Sequence, residues 1–207
     1  MNGFYRFVVR CFNVFYPYKI FGKENVPEGG AVLVCNHFRA IDPAYVIEVY
    51  GKDIKILAKN ELFKNKLLGK TLKSMGAVPI DRKNPDIKTM LSLIRYLKEG
   101  HKVLIFPEGT RNTTGTTELQ ELKGGSALFA IKAKVPIVPI MLENKGRFLR
   151  KNHIYVGKPF ELTDFYGKKT SDEDIKNADE IIKNNMIESQ KCLFERIKKK
   201  NNKNKNK

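Results

Sequence analysis

Residues 31–43 read AVLVCNHFRAIDP: five apolar residues without interruption, a polar loop carrying a histidine, and an Asp-Pro pair where a helix can begin. An apolar run of that length bounded by polar residues reads as a buried strand. Asp is a favoured N-cap, and Pro at the first helical position has the φ a helix needs and no N–H to waste. The stretch therefore reads as strand, loop, helix, the repeating unit of an α/β domain.

The same alternation extends outward from it. Further strands are expected at residues 54–58, 77–80, 102–106, 136–142 and 154–156. Helices are expected at residues 43–50, 67–74, 85–99, 122–133 and 172–199. Gly100 follows a last turn containing Lys98, the usual place for a C-terminal glycine. At 207 residues the chain has room for one core. The expected fold is α/β, a single domain with a mixed central sheet flanked by helices, divided as an N-terminal segment 1–20, a domain 21–197 and a tail 198–207.

That tail contains six lysines, otherwise only asparagine, and has no apolar group to bury, so it is expected to be disordered. Over the whole chain 39 Lys and Arg face 22 Asp and Glu, a formal charge of +17, which suits polyanionic partners, phospholipid headgroups or nucleic acid. No helix-turn-helix, zinc-finger or RNP-type aromatic signature supports a nucleic-acid reading. Cys11, Cys35 and Cys192 lie far apart and only three histidines accompany them, so neither a disulfide framework nor a metal site is expected.

The N-terminal segment is apolar and aromatic but interrupted by Arg6, Arg10 and Lys19, so it lacks the roughly 20 uncharged residues of a spanning helix. It also lacks the apolar centre and cleavage site of a signal peptide. At 100° per residue, Phe4, Phe7, Val8, Cys11, Phe12 and Phe15 share one face, and Arg6, Arg10 and Asn13 take the opposite one. Residues 1–20 are therefore expected to form an amphipathic helix, whose aromatic face can pack on the domain core. Its terminal position, aromatic density and arginines favour contact with a membrane interface.

Two loops carry groups that can do chemistry. In the first, His37 follows a buried strand and Asp42 lies five residues on. A carboxylate that fixes an imidazole's tautomer and stabilises its protonated form makes a general base, although Asp42 also suits a plain helix cap. The second is Phe106-Pro107-Glu108-Gly109-Thr110-Arg111, where Gly109 lets the chain turn sharply. Glu108 and Arg111 can pair across that turn; alternatively Arg111 can fork onto a phosphate while Glu108 positions a hydroxyl. No GxSxG nucleophile elbow is present, since Gly124-Gly125-Ser126-Ala127-Leu128 lacks the final glycine.

Taken together, HxxxxD at His37–Asp42 followed by FPEGTR at Phe106–Arg111 resembles the glycerolipid acyltransferases that make phosphatidic acid. Lys59-Asn60-Glu61-Leu62, Gly76 to Arg82, and Val135-Pro136-Ile137-Val138-Pro139 are similar to that family's other blocks. The resemblance runs from about Gly22 to Phe160 and implies a glycerol-3-phosphate acyltransferase-like fold. It implies His37 as base, Asp42 as its orienting partner, and Glu108, Gly109, Thr110 and Arg111 at the acceptor, with Lys59 and Arg82 adding charge for its phosphate. Pro136 and Pro139 would shape a strand and the acyl channel.

The implied reaction acylates the sn-2 hydroxyl of lysophosphatidic acid from acyl-CoA or acyl carrier protein, each a co-substrate, with no cofactor. It would take place at the cytoplasmic face of the cell membrane, with the chain held peripherally or monotopically on an anionic surface. Another lysophospholipid, glycerol 3-phosphate, or a non-catalytic lipid-binding scaffold are the alternatives.

Overall fold

The apolar run at residues 31–35 sits in the middle of a sheet covered on both faces, which is why every one of its residues is buried. In this computed structural model the described residues are 13–51, 54–81, 86–123, 125–144 and 146–205. The strands are β1 (Tyr18–Phe21), β2 (Ala31–Cys35), β3 (Ile54–Lys59), β4 (Ala77–Ile80), β5 (Lys102–Ile105), β6 (Ile137–Leu142) and β7 (Asn152–Val156). They form one seven-stranded sheet in the order β1-β7-β6-β2-β5-β3-β4. All neighbours are parallel except β6 and β7. The sheet is therefore mixed, as the sequence led us to expect.

The helices are α1 (Asp42–Tyr50), α2 (Lys66–Ser74), α3 (Ile87–Lys98), α4 (Gly125–Ala133) and α5 (Asp172–Lys205). Strand side chains alternate between the two faces. Val32, Val34, Val103 and Ile137 join Leu93, Leu97, Phe129, Ile182 and Met186 of α3, α4 and α5 on one side. Ala31, Leu33, Leu104 and Ile140 meet Tyr45, Val46 and Ile47 of α1 on the other. Gly100, at φ 91°, ends α3 as expected. Its N–H donates to the Leu97 carbonyl and that of His101 to Tyr96, while the rings of Tyr96 and His101 stack at 4.2 Å, a Schellman closure with its apolar contact.

Two expectations are corrected. Residues 18–20, assigned to the N-terminal helix, lie in β1, an edge strand parallel to β7. Pro17 cannot continue a helix, so the helical residues 13–15 end before it; the rest of the expected helix, residues 1–12, falls outside the described residues. The expected disordered tail is helical as far as Lys205, because α5 simply continues. Lys has good helix propensity, no Gly or Pro interrupts, and extending a helix is far easier than nucleating one.

Candidate functional site

Because β2 to β6 are mutually parallel, their carboxyl ends lie along one edge of the sheet, where α/β proteins place their sites. His37 leaves the central strand β2, and the segment 106–111 leaves its neighbour β5. This adjacency joins two segments seventy residues apart.

Asn36, 2% exposed, closes the end of β2 against β6: its amide donates to the Leu142 carbonyl at 3.0 Å and its oxygen accepts the Leu142 N–H at 2.8 Å. Next in the chain, His37 brings Nδ1 to 2.9 Å from Asp42 Oδ2. The same oxygen accepts the backbone N–H groups of Phe38 at 2.6 Å and Arg39 at 2.7 Å. Oδ2 is thus an acceptor three times over, so Nδ1 must donate and the free lone pair sits on Nε2. No described residue bonds Nε2, and the His37 side chain keeps 16% of its surface open while that of Asp42 is fully buried. Asp42 stands in the first turn of α1 but does not cap it, since its side chain turns back into the preceding loop.

The imidazole stacks on Phe106, the rings 4.0 Å apart, so β5 sets the plane of the ring that β2 delivers. Beyond Phe106 the chain turns through Gly109, at φ 72°, whose N–H returns to the Phe106 carbonyl. Glu108, 1% exposed, points inward. One of its oxygens accepts the His37 N–H and the other the Gln120 N–H, each at 3.1 Å, and neither takes Arg111. Burial holds the Glu108 carboxyl above the usual carboxylate range, with the Gln120 and His37 N–H groups and the nearby imidazole pulling the other way.

Asn112, also buried, completes the lock: its N–H donates to the His37 carbonyl at 2.7 Å and its amide to the Glu118 carbonyl. The His37 peptide is held at both ends, by Glu108 and by Asn112. Sequence assigns no role to Asn36 or Asn112, since an asparagine beside a loop reads as an ordinary turn former, and none to Phe106 beyond its place in the motif.

Arg111 and Arg39 are exposed and line one cleft with Tyr16, Phe38 and Ile41, of which Phe38, Arg39 and Ile41 follow His37 directly in the chain. Thr110 Oγ1 donates to the Gln120 side chain at 3.2 Å. Lys59 ends β3 at the same sheet edge, exposed, in register with Ile80 of β4. Arg82, expected beside it, lies outside the described residues. Pro139 pairs with Val34 in the interior of the sheet, so it is a strand residue, and Pro136 gives its carbonyl to Val32. The site therefore holds a tautomer-fixed imidazole, a cationic cleft and a rigid peptide frame, a set suited to taking a proton from a hydroxyl whose carrier is anionic.

A family model described as Acyltransferase matches residues 18–143. The chain is similar to the 1-acyl-sn-glycerol-3-phosphate acyltransferase of Bacillus subtilis, 36% identical over 71% of this chain and 75% of that protein. It is also similar to the enzyme of the same name from Borreliella burgdorferi, 34% identical over 65% of this chain but only 54% of the relative's length. Among solved structures it resembles the 1-acyl-sn-glycerophosphate (LPA) acyltransferase PlsC of Thermotoga maritima. There the TM-score is 0.63 at 25% identity, covering 88% of this chain and 76% of that one.

Proposed function

Because the chain belongs to the acyltransferase family, we propose that it moves a fatty acyl group from a thioester, acyl-CoA or acyl carrier protein, to the sn-2 hydroxyl of lysophosphatidic acid, giving phosphatidic acid. The observation that carries this reading is the His37–Asp42 contact of 2.9 Å, with Nε2 left unbonded by any described residue, while the next residues in the chain, Phe38 and Arg39, line a cleft with Arg111.

In the proposed reaction, Nε2 takes the proton from the acceptor hydroxyl as its oxygen attacks the thioester carbonyl carbon. Asp42 stabilises the imidazolium that results. The tetrahedral oxyanion collapses, the C–S bond breaks, and the departing thiolate takes the proton back from His37. No acyl-enzyme forms. Arg111 binds the acceptor phosphate through its planar fork, with Lys59 adding charge at the same sheet edge and Arg82 assigned to the same phosphate by the family resemblance alone.

Glu108 takes a further role beside the hydroxyl-positioning one that the motif suggested. With both oxygens committed to backbone N–H groups, it fixes the His37 peptide and so aims the imidazole. The charge of +17 supports work as a peripheral protein on an anionic cytoplasmic leaflet.

The test is incubation of the purified chain with lysophosphatidic acid and either acyl-CoA or acylated carrier protein, following phosphatidic acid and free thiol together. One equivalent of each per turnover is expected. Preferential acylation of glycerol 3-phosphate or of a zwitterionic lysolipid in competition would displace lysophosphatidic acid as the acceptor.

A further inference from the structure

The loop joining β6 to β7 carries features that its own packing does not account for. Phe148 and Leu149 stand 56% and 61% exposed. Leu149 also has a backbone φ of 54°, a left-handed conformation that suits Gly or Asn and strains a branched side chain. A leucine there serves neither the turn nor the core.

The loop is braced rather than loose. Phe148 stacks on Phe15 at 5.6 Å and meets Tyr16 edge-on at 5.7 Å, and the Leu149 N–H donates to the Phe15 carbonyl at 2.6 Å. Val14 and Phe15, 64% and 46% exposed, extend the same apolar surface. Its rim is cationic: Arg39, Arg147 and Arg150 line one cleft with Phe148, and Arg39 also lines the cleft it shares with Arg111. Among the described residues no Asp or Glu lines either cleft. Glu143 is bonded to Arg147, which lines the first of them, at 3.1 Å.

An apolar tip ringed by arginines complements a surface with a hydrocarbon interior and a phosphate face. We propose that the β6–β7 loop, with Val14 and Phe15, is the membrane-docking element. Phe148 and Leu149 enter the headgroup boundary of an anionic bilayer while Arg39 and Arg150 bind lipid phosphates. Since β6 ends at the same sheet edge as β2 and β5, docking there sets the mouth of the catalytic cleft on the membrane surface. The assignment rests on the acyltransferase reading for the identity of the lipid drawn in; the docking itself is read by binding, not turnover.

The chain has no tryptophan, so Phe148→Trp puts a single fluorophore on the loop. With vesicles of anionic lipid carrying brominated acyl chains, its emission shifts to the blue and is quenched; with zwitterionic vesicles both effects fade. Glu180→Trp provides the control. It is exposed on α5, twenty residues before Lys200, whose charge neighbours Lys151 at the loop, and so lies about 30 Å along the helix. It stays unquenched.

Leu149→Asn relieves the backbone strain, so it keeps the thermal midpoint while weakening anionic-vesicle binding about tenfold or more, the worth of burying one leucine. Its turnover on detergent-dispersed acceptor matches that of the parent, which separates a failure of docking from a failure of the acyltransferase reading. The proposal is overturned if the chain binds vesicles while Phe148→Trp stays unquenched. Full vesicle affinity in Leu149→Asn overturns it too. So does conversion of a dimer to a monomer by Leu149→Asn with vesicle binding unchanged, which would make the patch a contact between copies.

Discussion

Two histidines in this chain hold a carboxylate at the same distance, His37 with Asp42 and His153 with Glu143, each at 2.9 Å through Nδ1. The pairs differ in everything around that contact. Nε2 of His37 meets no described residue in a ring that keeps 16% of its surface open. Nε2 of His153 is buried and unpartnered, so no substrate can reach it. Asp42 is loaded with two backbone N–H groups that fix its position, whereas Glu143 shares the oxygen that meets His153 with the guanidinium of Arg147. A His–carboxylate contact is therefore not in itself a base. Access to the second nitrogen and a rigid peptide frame make the difference.

The sharpest way to break this contrast is to neutralise each carboxylate in turn. Asp42→Asn keeps an oxygen for the Phe38 and Arg39 N–H groups but no longer stabilises an imidazolium. Its kcat is expected to fall on the order of 10²–10⁴-fold with the fold retained. Glu143→Gln is expected to leave kcat unchanged, as read by thiol release alongside circular dichroism.

A smaller effect is expected at the cleft. Arg111→Lys keeps the charge but loses the planar fork, so KM for a phosphate-bearing acceptor should rise about tenfold, as for losing one charged hydrogen bond of about 1.5 kcal/mol, with kcat little changed.

The smallest effect is one of pH. Burial raises the Glu108 carboxyl above its unfolded value. In the window between the two, the folded chain keeps a proton that the unfolded chain has lost. Its contribution to stability is then full below the ordinary carboxylate range and declines as pH rises from about 4 through the elevated value. Glu108→Gln removes that decline, so urea midpoints of parent and variant should run with different slopes over this range.

The same contrast shows how far sequence reaches. Apolar runs bounded by turn formers located β2 through β7 closely, most plainly β2 and β6, whose residues are all apolar and all buried. β1 escaped because Tyr18-Lys19-Ile20-Phe21 is a four-residue edge strand that directly follows an aromatic helical segment, with Pro17 the one breaker between them. His37, Asp42, Glu108 and Arg111 were legible as motif residues, and the structure gathers them at one sheet edge. Glu108's partners were not legible, since a carboxylate satisfied by backbone N–H groups has no side-chain correlate in the sequence. The same holds for Asn36 and Asn112, whose targets are backbone groups of Leu142, His37 and Glu118. Nor does local sequence separate His37 from His153, because exposure of Nε2 is decided by strands far apart in the chain.

The most direct test is to measure thiol release from acyl-CoA with lysophosphatidic acid for the parent chain, His37→Ala and His153→Ala in parallel. The account predicts that His37→Ala loses on the order of 10²–10⁴-fold in kcat while remaining folded, and that His153→Ala retains kcat within a few-fold. Turnover surviving in His37→Ala, or lost equally in a folded His153→Ala, would contradict it.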